Sequence, residues 1–233
     1  MIIVRNEKMI NRNAFIGKYA GVVSIAILVG GMYISFKYPK QITYSLLALI
    51  IGFTLSQIGI LYSNRFVRSP RLDQQLDNAL KGLDDQYAIY HYESAVSHFL
   101  IGPAGFWILF PLPQKGKITY DDKKGRWKRI GGNFYMKFFG QDRIGNPTRE
   151  IKVAVDQVQK ELRKIPEFDL PEIKTALVFT GSSIEIDAEN APSPTLHAGQ
   201  LKKLIRKEAK GDASLPSSTI KTIQDFYGLD HAV

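Results

Sequence analysis

The strongest candidates for binding a metal ion or moving a proton are four residues at positions 73 to 98. They are Asp73, His91, Glu93 and His98. Carboxylate oxygens are ligands that Mg²⁺ prefers, and imidazole binds metals and exchanges protons near neutral pH. His91 and His98 with Glu93 could therefore bind a metal. Asp73, Glu93 and His98 could instead form a relocated catalytic site.

A simpler interpretation of the same residues is structural. His91 and Glu93 would share one face of a strand, and no third ligand has convincing spacing, so we expect satisfied or exposed histidines. The chain has no cysteine, which excludes disulfides and thiolate metal sites. It also lacks a P-loop motif and any local signature of a Ser-His-Asp triad. The sequence therefore predicts no metal ion and no cofactor.

Two long apolar segments precede these residues. Residues 19–36 and 41–64 contain no charged side chain, and each is close to the roughly 20 residues that cross a bilayer. Only Lys37-Tyr38-Pro39-Lys40 separates them, and a proline favours a helix break there. We expect a two-helix transmembrane hairpin at 19–64, with Ala26, Gly30, Ser45, Ala48 and Gly52 allowing close packing. A cleaved signal peptide and a pair of buried soluble helices fit the pattern less well.

The distribution of positive charge predicts the orientation of this hairpin. Residues 1–64 have a net charge of +5 and residues 65–233 a net charge of +4. Lys and Arg lie before the first segment and after the second, whereas the connecting loop has only two lysines. The positive-inside rule then places both termini in the cytoplasm. We expect a multi-pass protein of a prokaryotic inner (plasma) membrane, in contact with membrane lipids.

The remaining chain has the pattern of one α/β domain. Helical spacing at 71–83 is followed by a strand at 87–93, then by strands at 96–101 and 106–110 around the turn Gly102-Pro103-Ala104-Gly105. A second hairpin spans 117–130, and Asn146-Pro147 begins a helix that ends near Lys164. Strands at 175–180 and 183–187 and helices at 200–210 and 217–227 complete it. We predict a cytoplasmic segment at 1–18, the hairpin at 19–64, the domain at 65–210, and a C-terminal helix and tail at 211–233.

Several strings in this domain, taken in order, resemble the nuclease-related domain (NERD) family, which has a restriction-endonuclease-like fold. The strings are "LDQQLDNALKGLDDQYAIYH" (72–91), "GPAGFWIL" (102–109), "KGKITYDDKKGRW" (115–127), "NPTRE" (146–150) and "ALVFTGSSIEID" (176–187). The resemblance covers about residues 70–205. It implies a mixed β-sheet flanked by helices, preceded here by the transmembrane hairpin.

The resemblance also implies where a nuclease would hold its metal. Members that cut phosphodiesters are thought to use an acid on the first helix, an Asp before the hairpin turn and a Glu-x-Lys at the end of the next strand. These positions correspond here to Asp73, Ser97, Phe110 and Leu112. Phe and Leu cannot bind Mg²⁺, and a Ser hydroxyl is a poor ligand. The expected protein is therefore a pseudoenzyme whose site is degenerate.

A basic hairpin, residues 115–129, is the main candidate for binding phosphate groups. It carries seven cations against Asp121 and Asp122, a net charge of +5. Three interpretations remain open: a solvated edge hairpin, a surface for anionic lipid headgroups, or a nucleic-acid site in which aromatics stack on bases. The candidate residues are Lys115, Lys117, Lys123, Lys124, Arg126, Trp127, Lys128 and Arg129.

Together these patterns predict a non-catalytic, membrane-anchored NERD-like domain that acts through protein–protein interaction. It would be a scaffold, or an accessory subunit with a protein partner in a membrane assembly. The alternative is a membrane-tethered nucleic-acid-binding module that uses the basic hairpin. A further alternative is a metal-dependent nuclease with a relocated site. The aromatic string "GGNFYMKFFG" (131–140) is expected to be core or a partner surface.

Overall fold

The computed structural model describes residues 1–131, 144–166, 168, 170–211 and 215–228. The aromatic string at 131–140 lies outside the described residues, except for Gly131. The chain divides into two compact units, Asn6–Arg71 and the combination of Met1–Arg5 with Leu72–Val233. Residues 1–5 therefore belong to the same unit as the chain after residue 71, whereas the sequence was divided at residue 18.

The unit Asn6–Arg71 is a helical hairpin. Helix α1 (Glu7–Lys37) begins after Asn6, whose side chain accepts a hydrogen bond from the Met9 N–H at 2.8 Å. As predicted, Pro39 lies at the break, in a 3₁₀ turn (Pro39–Gln41) before helix α2 (Ile42–Tyr62). A π-helical turn (Ser63–Val67) follows. Helix α1 is therefore longer than the apolar segment, since its first turns carry charged residues.

Small residues spaced seven apart bring α1 and α2 together. Gly17, Ser24 and Gly31 are buried on α1, and Gly52 and Gly59 on α2. A Cβ on Gly31 would lie 2.6 Å from the Ala48 Cβ, so a larger residue would push the helices apart. The sequence prediction was right for Ala48 and Gly52. It was wrong for Gly30, where an added Cβ meets nothing within 4 Å, because the contact stripe runs through the neighbouring Gly31.

Both helices of this hairpin are long and apolar enough to cross a membrane. Their most apolar windows are only 11% buried, whereas a core helix of a soluble protein would be mostly buried. Large side chains such as Val22, Ile25, Leu46, Ile50 and Phe53 are exposed on the outside of the hairpin. This apolar exterior indicates association with a membrane.

The second unit is built on a mixed sheet of six strands in the order β1-β2-β3-β4-β7-β9. The pairs β1–β2, β4–β7 and β7–β9 are parallel, and β2–β3 and β3–β4 are antiparallel. The strands are β1 (Ile2–Arg5), β2 (Ala88–His91), β3 (His98–Gly102), β4 (Gly105–Leu112), β7 (Ile173–Phe179) and β9 (Thr195–His197). A mixed α/β domain was predicted and is confirmed, whereas β1 and β9 were not predicted.

Helices cover both faces of this sheet. Helices α3 (Leu72–Leu80) and α5 (Ala198–Glu208) pack on one face through Leu76, Leu80, Leu201 and Ile205. Helices α4 (Pro147–Leu162) and α6 (Ser217–Phe226) pack on the other. Ile220 and Ile223 of α6 belong to this second core, so α6 packs on the same α/β domain as α4.

A second sheet, in the order β6-β5-β8, contains the basic hairpin. Its strands are β5 (Gly116–Asp121), β6 (Arg126–Ile130) and β8 (Ile184–Asp187), and the first two form the hairpin predicted around the 121–125 turn. Ile118 is fully buried in a third core with Leu177 and Phe179. This packing fixes one face of β5 against the main sheet.

Strand β4 continues through Pro111 to Leu112, two residues beyond the predicted end. Pairing with β3 stops at the Phe99–Ile108 pair, so the last residues of β4 pair only with β7. The Leu112 carbonyl accepts a hydrogen bond from the Thr180 N–H at 2.9 Å. The backbone N–H and C=O groups of successive strand residues point to opposite edges of the strand. Pro111 therefore turns its nitrogen to the unpaired edge, where a missing N–H costs little. Strand β2 in turn ends early, at His91, and the next residue, Tyr92, adopts a φ of 62°.

Candidate functional site

The end of β4 is the place where the resemblance locates catalysis, and apolar side chains occupy it. Phe110 packs against both the α4–α6 core and the third core, and Leu112 packs against the third core. Ser97 is half-buried directly before β3. These three side chains offer at most one hydroxyl oxygen, which does not fit a divalent cation that needs several oxygen ligands.

Asp73, the fourth of these positions, is fully buried on α3 and forms an ion pair. Its Oδ2 lies 3.3 Å from Nε of Arg5, the last residue of β1. Arg5 Nη2 also donates to Asp77 Oδ2, one helical turn further along α3. A carboxylate committed to a guanidinium is a poor choice for a metal ligand, because the two cations would compete for the same oxygens.

The two histidines join this network. His91 Nε2 lies 2.9 Å from Asp77 Oδ1, and His91 Nδ1 lies 2.8 Å from His98 Nδ1. If His91 donates from Nε2 to the carboxylate, its Nδ1 accepts from His98. Both rings are buried. We call Arg5, Asp73, Asp77, His91 and His98 the Arg5 cluster; it ties β1, α3, β2 and β3 together.

The relocated site predicted from Asp73, Glu93 and His98 is not assembled. Across residues 1–131, 144–166, 168, 170–211 and 215–228, no group of three or more His, Asp or Glu side chains could hold a metal ion. Asp73, His91 and His98 belong to the Arg5 cluster, while Glu93 is partly exposed beyond the end of β2. The histidines are therefore satisfied structural residues, the simpler of the two interpretations of the sequence.

Ion pairs compensate part of the charge of the basic hairpin. Lys117 Nζ lies 2.7 Å from Glu185 and 3.7 Å from Asp187 on β8, and Lys128 lies 3.9 Å from Asp121. The hydrogen bond and charge of Glu185 raise the pKa of Lys117. Arg129 donates to the Lys115 carbonyl. Lys123, Lys124 and Arg126 at the turn stay exposed.

The hairpin aromatics are also engaged. Trp127 packs on the third core and donates from Nε1 to Thr148 Oγ1 at 3.2 Å. Tyr120 lies against it, with ring centroids 4.9 Å apart. Rings packed in this way are less accessible for stacking on bases than the sequence suggested. The hairpin therefore presents exposed cations, which include Lys115 and Lys128 beside the three at the turn, while its rings are partly covered.

Helix α5 carries a second and less compensated set of cations. Its outer residues, which we call the α5 cationic face, are Lys202, Lys203, Arg206, Lys207 and Lys210. Among the described residues, none of these five side chains forms an ion pair. The sequence showed a basic helix here, but helical spacing alone could not show that the acidic Glu208 is held by Lys174 at 2.6 Å.

A pair of buried tyrosines forms another polar feature, between the sheet and α6. Burial, together with a 2.6 Å hydrogen bond from Tyr227 Oη to Glu161 Oε2, raises the pKa of Tyr227. Burial, aided by Asp225, raises the pKa of Tyr90 to about 12. Glu161 also accepts from the Ala95 N–H at 2.9 Å. These contacts secure α6 on the domain and offer no reactive group.

The fold and these sites were compared with known proteins. No family model, no curated protein and no solved structure matches the chain. The α/β architecture and the geometry described above are therefore what bears on function.

Proposed function

We propose that this protein is a membrane-anchored, non-catalytic NERD-like domain that serves as a scaffold or accessory subunit of a membrane assembly. The observation that carries the proposal is the end of β4, where Phe110 and Leu112 pack into hydrophobic cores. A mixed sheet with helices on both faces is consistent with a restriction-endonuclease-like fold. With packing at the place of the metal site, binding is the function that the domain retains.

The sheet also supports the predicted topology. Strand β1 precedes the hairpin and pairs with β2, which follows it. Two membrane crossings between paired strands return the chain to its starting side. The Lys and Arg residues flanking the hairpin favour the cytoplasmic side, so we place the domain in the cytoplasm at the inner membrane.

The topology is testable because the native chain has no cysteine. Single Lys40→Cys and Ser182→Cys variants place one thiol in the hairpin loop and one on the exposed surface of the domain. In intact cells, a membrane-impermeant maleimide should label the first and not the second until the cells are permeabilised. Labelling of Ser182→Cys in intact cells would reverse the proposed orientation.

Absence of catalysis is tested on the full chain in mild detergent. Labelled DNA and RNA are incubated with it in the presence of Mg²⁺ or Mn²⁺, beside a control protein that ends after residue 64. We expect equal, background cleavage from both. Metal-dependent cleavage above the control would refute the proposal, since the apolar end of β4 would then not prevent chemistry.

A second candidate function rests on the exposed turn cations Lys123, Lys124 and Arg126. A membrane-tethered nucleic-acid module that used them would bind oligonucleotides in a salt-dependent way. Changing Lys123, Lys124, Arg126 and Lys128 together to Gln should then weaken binding. If the unmodified protein shows no binding at low salt, this second function fails while the scaffold proposal stands.

A further inference from the structure

A cleft of about 540 Å³ opens between α5 and the loop that leads from β8 to β9. Its apolar lining includes Ala191, Pro192, Pro194 and Leu204. Leu196 of β9, the edge strand of the sheet, lies at its base and is buried. The cleft can therefore accept an apolar side chain while it remains open to solvent.

Lysines of the α5 cationic face form one wall of this cleft. Lys203 and Lys207 line it and also line an adjoining groove of about 390 Å³, together with Lys202, Arg206 and Lys210. Residues four apart on a helix lie on the same side and are separated by about 6 Å along the axis. The cations therefore form two adjacent rows beside an apolar depression.

Two of these cations donate hydrogen bonds within the domain. Lys202 donates to the Lys81 carbonyl at 3.0 Å and Arg206 to the Gly82 carbonyl at 2.7 Å, just beyond the C-terminus of α3. Lys203, Lys207 and Lys210 form no ion pair within the described part of the chain, and all three are exposed. Their charges are available to a ligand.

The acids close to the cleft do not cancel these charges. Glu208 is held by Lys174 at 2.6 Å, which leaves Glu189 as the one acidic side chain among the described residues lining the cleft. A cationic wall beside an apolar floor complements a ligand that is acidic and carries an apolar group. An acidic polypeptide segment with a hydrophobic anchor residue has this chemistry.

Other polyanions fit less well. An amphipathic helix enters a bilayer with its apolar face, but Leu201 and Ile205 of α5 are fully buried in the core of the domain. Proteins that hold single-stranded nucleic acids supply aromatic rings for base stacking. The residues lining the cleft and the groove include no aromatic side chain.

We propose that the cleft between α5 and the 188–194 loop docks an acidic segment of a partner protein, with one apolar side chain seated over Leu196 and carboxylates paired to Lys203 and Lys207. This inference rests on the proposed scaffold function and names the chemistry of the partner. The α5 cationic face would select the segment by charge, and the apolar cleft would retain it.

The test is photo-crosslinking with the full-length protein in its native membrane. Gln200 is exposed, uncharged and lines the cleft, so a Gln200→benzoylphenylalanine variant places the reactive group at the site. The matched control is the same replacement at the exposed Lys124 in the basic hairpin. Adducts are purified and the crosslinked peptide is identified by mass spectrometry.

We expect a protein adduct from position 200 whose crosslinked peptide is net acidic, and none of this kind from position 124. Adding Lys203→Glu and Lys207→Glu should reduce this adduct by about tenfold, because the reversed charges repel the segment. A Lys203→Gln and Lys207→Gln version, which removes charge without repulsion, should reduce it less.

Several results would overturn the inference. A lipid or nucleic-acid adduct at position 200, a crosslinked peptide without net acidity, or an adduct unaffected by the charge reversal would each exclude the proposed contact. Protein adducts from position 124 alone would also refute the cleft but leave the scaffold function intact. Protein adducts from neither position would count against both proposals.

Discussion

Two groups of charged side chains in the α/β domain, the Arg5 cluster and the α5 cationic face, differ in burial. In the Arg5 cluster, Asp73 is fully buried and Asp77 nearly so, and their carboxylates are paired with Arg5. On the α5 cationic face, Lys203 and Lys207 are exposed and lack an ion pair in the described part of the chain. Burial separates charges that hold the fold together from charges that remain available for binding.

The largest effect should come from breaking the Arg5 cluster. An Arg5→Met substitution removes the guanidinium that pairs with the carboxylates of Asp73 and Asp77, which costs about 3–5 kcal/mol of unfolding free energy. Urea unfolding in mild detergent measures this through the fluorescence of Trp107, which is buried, and of Trp127, which packs on the third core. The control is Arg126→Gln on the exposed strand β6, with an expected change within about 0.5 kcal/mol. Equal unfolding midpoints would mean that the cluster does not stabilise the domain.

The burial of Tyr90 can be tested by measuring the free energy of unfolding at alkaline pH. The pKa of Tyr90 is raised from 10.0 to about 12, so between these values the unfolded chain releases a proton that the folded chain retains. Stability is therefore full below pH 10 and falls as pH rises towards 12, by about 2–3 kcal/mol from Tyr90. A Tyr90→Phe variant should show a shallower decline between pH 10 and 12. An unchanged pH profile would contradict the burial of this hydroxyl.

At neutral pH, Tyr227 and Tyr90 allow a comparison between a buried hydroxyl that has a hydrogen-bond partner and one that has none among the described residues. Tyr227→Phe removes the hydrogen bond to Glu161 and should cost about 1.5–3 kcal/mol, because the acceptor is charged. The Tyr90 hydroxyl has no hydrogen-bond partner among the described residues, so Tyr90→Phe should be nearly neutral. Thermal unfolding of both variants gives the comparison, and a larger loss for Tyr90→Phe would reverse it.

The smallest stability effect is expected at the α5 cationic face. Reversing Lys203 and Lys207 to Glu should change the unfolding free energy by no more than about 0.5 kcal/mol per site, because both are surface positions without partners. In the same variant the proposed partner adduct should fall by about tenfold. Destabilisation as large as that of Arg5→Met would show that these lysines are structural, and the contrast between the two regions would disappear.

Local sequence patterns predicted most of the domain because its elements carry local signals. The apolar spacing of Leu72, Leu76 and Leu80 predicted α3, and the Asn146-Pro147 pair marked the start of α4, as observed. Strands β1 and β9 have four and three residues. Such short strands form through distant partners: Ile2 pairs with Ala88 and Thr195 with Leu177. The residues around these short strands carry no local signal that predicts either pairing.

The candidate site was harder to predict, because the sequence does not show which charged side chains are buried or which residues they pair with. Arg5 was interpreted as an orientation signal for the membrane hairpin, although its side chain is paired inside the domain. Asp73 was expected at the site, but the contribution of Asp77 was missed. The sequence did not show that Glu185 and Asp187 of β8 lie beside Lys117 and compensate its charge. In each case the deciding partner lies far away along the chain.

Strand β1 also sets the order in which this protein can be assembled during synthesis. Ile2 is translated 86 positions before its partner Ala88, an interval on the order of ten seconds at ordinary elongation rates. Both apolar helices are translated within that interval. Until Ala88 has been made, β1 lacks the strand with which it pairs, and its edge stays open.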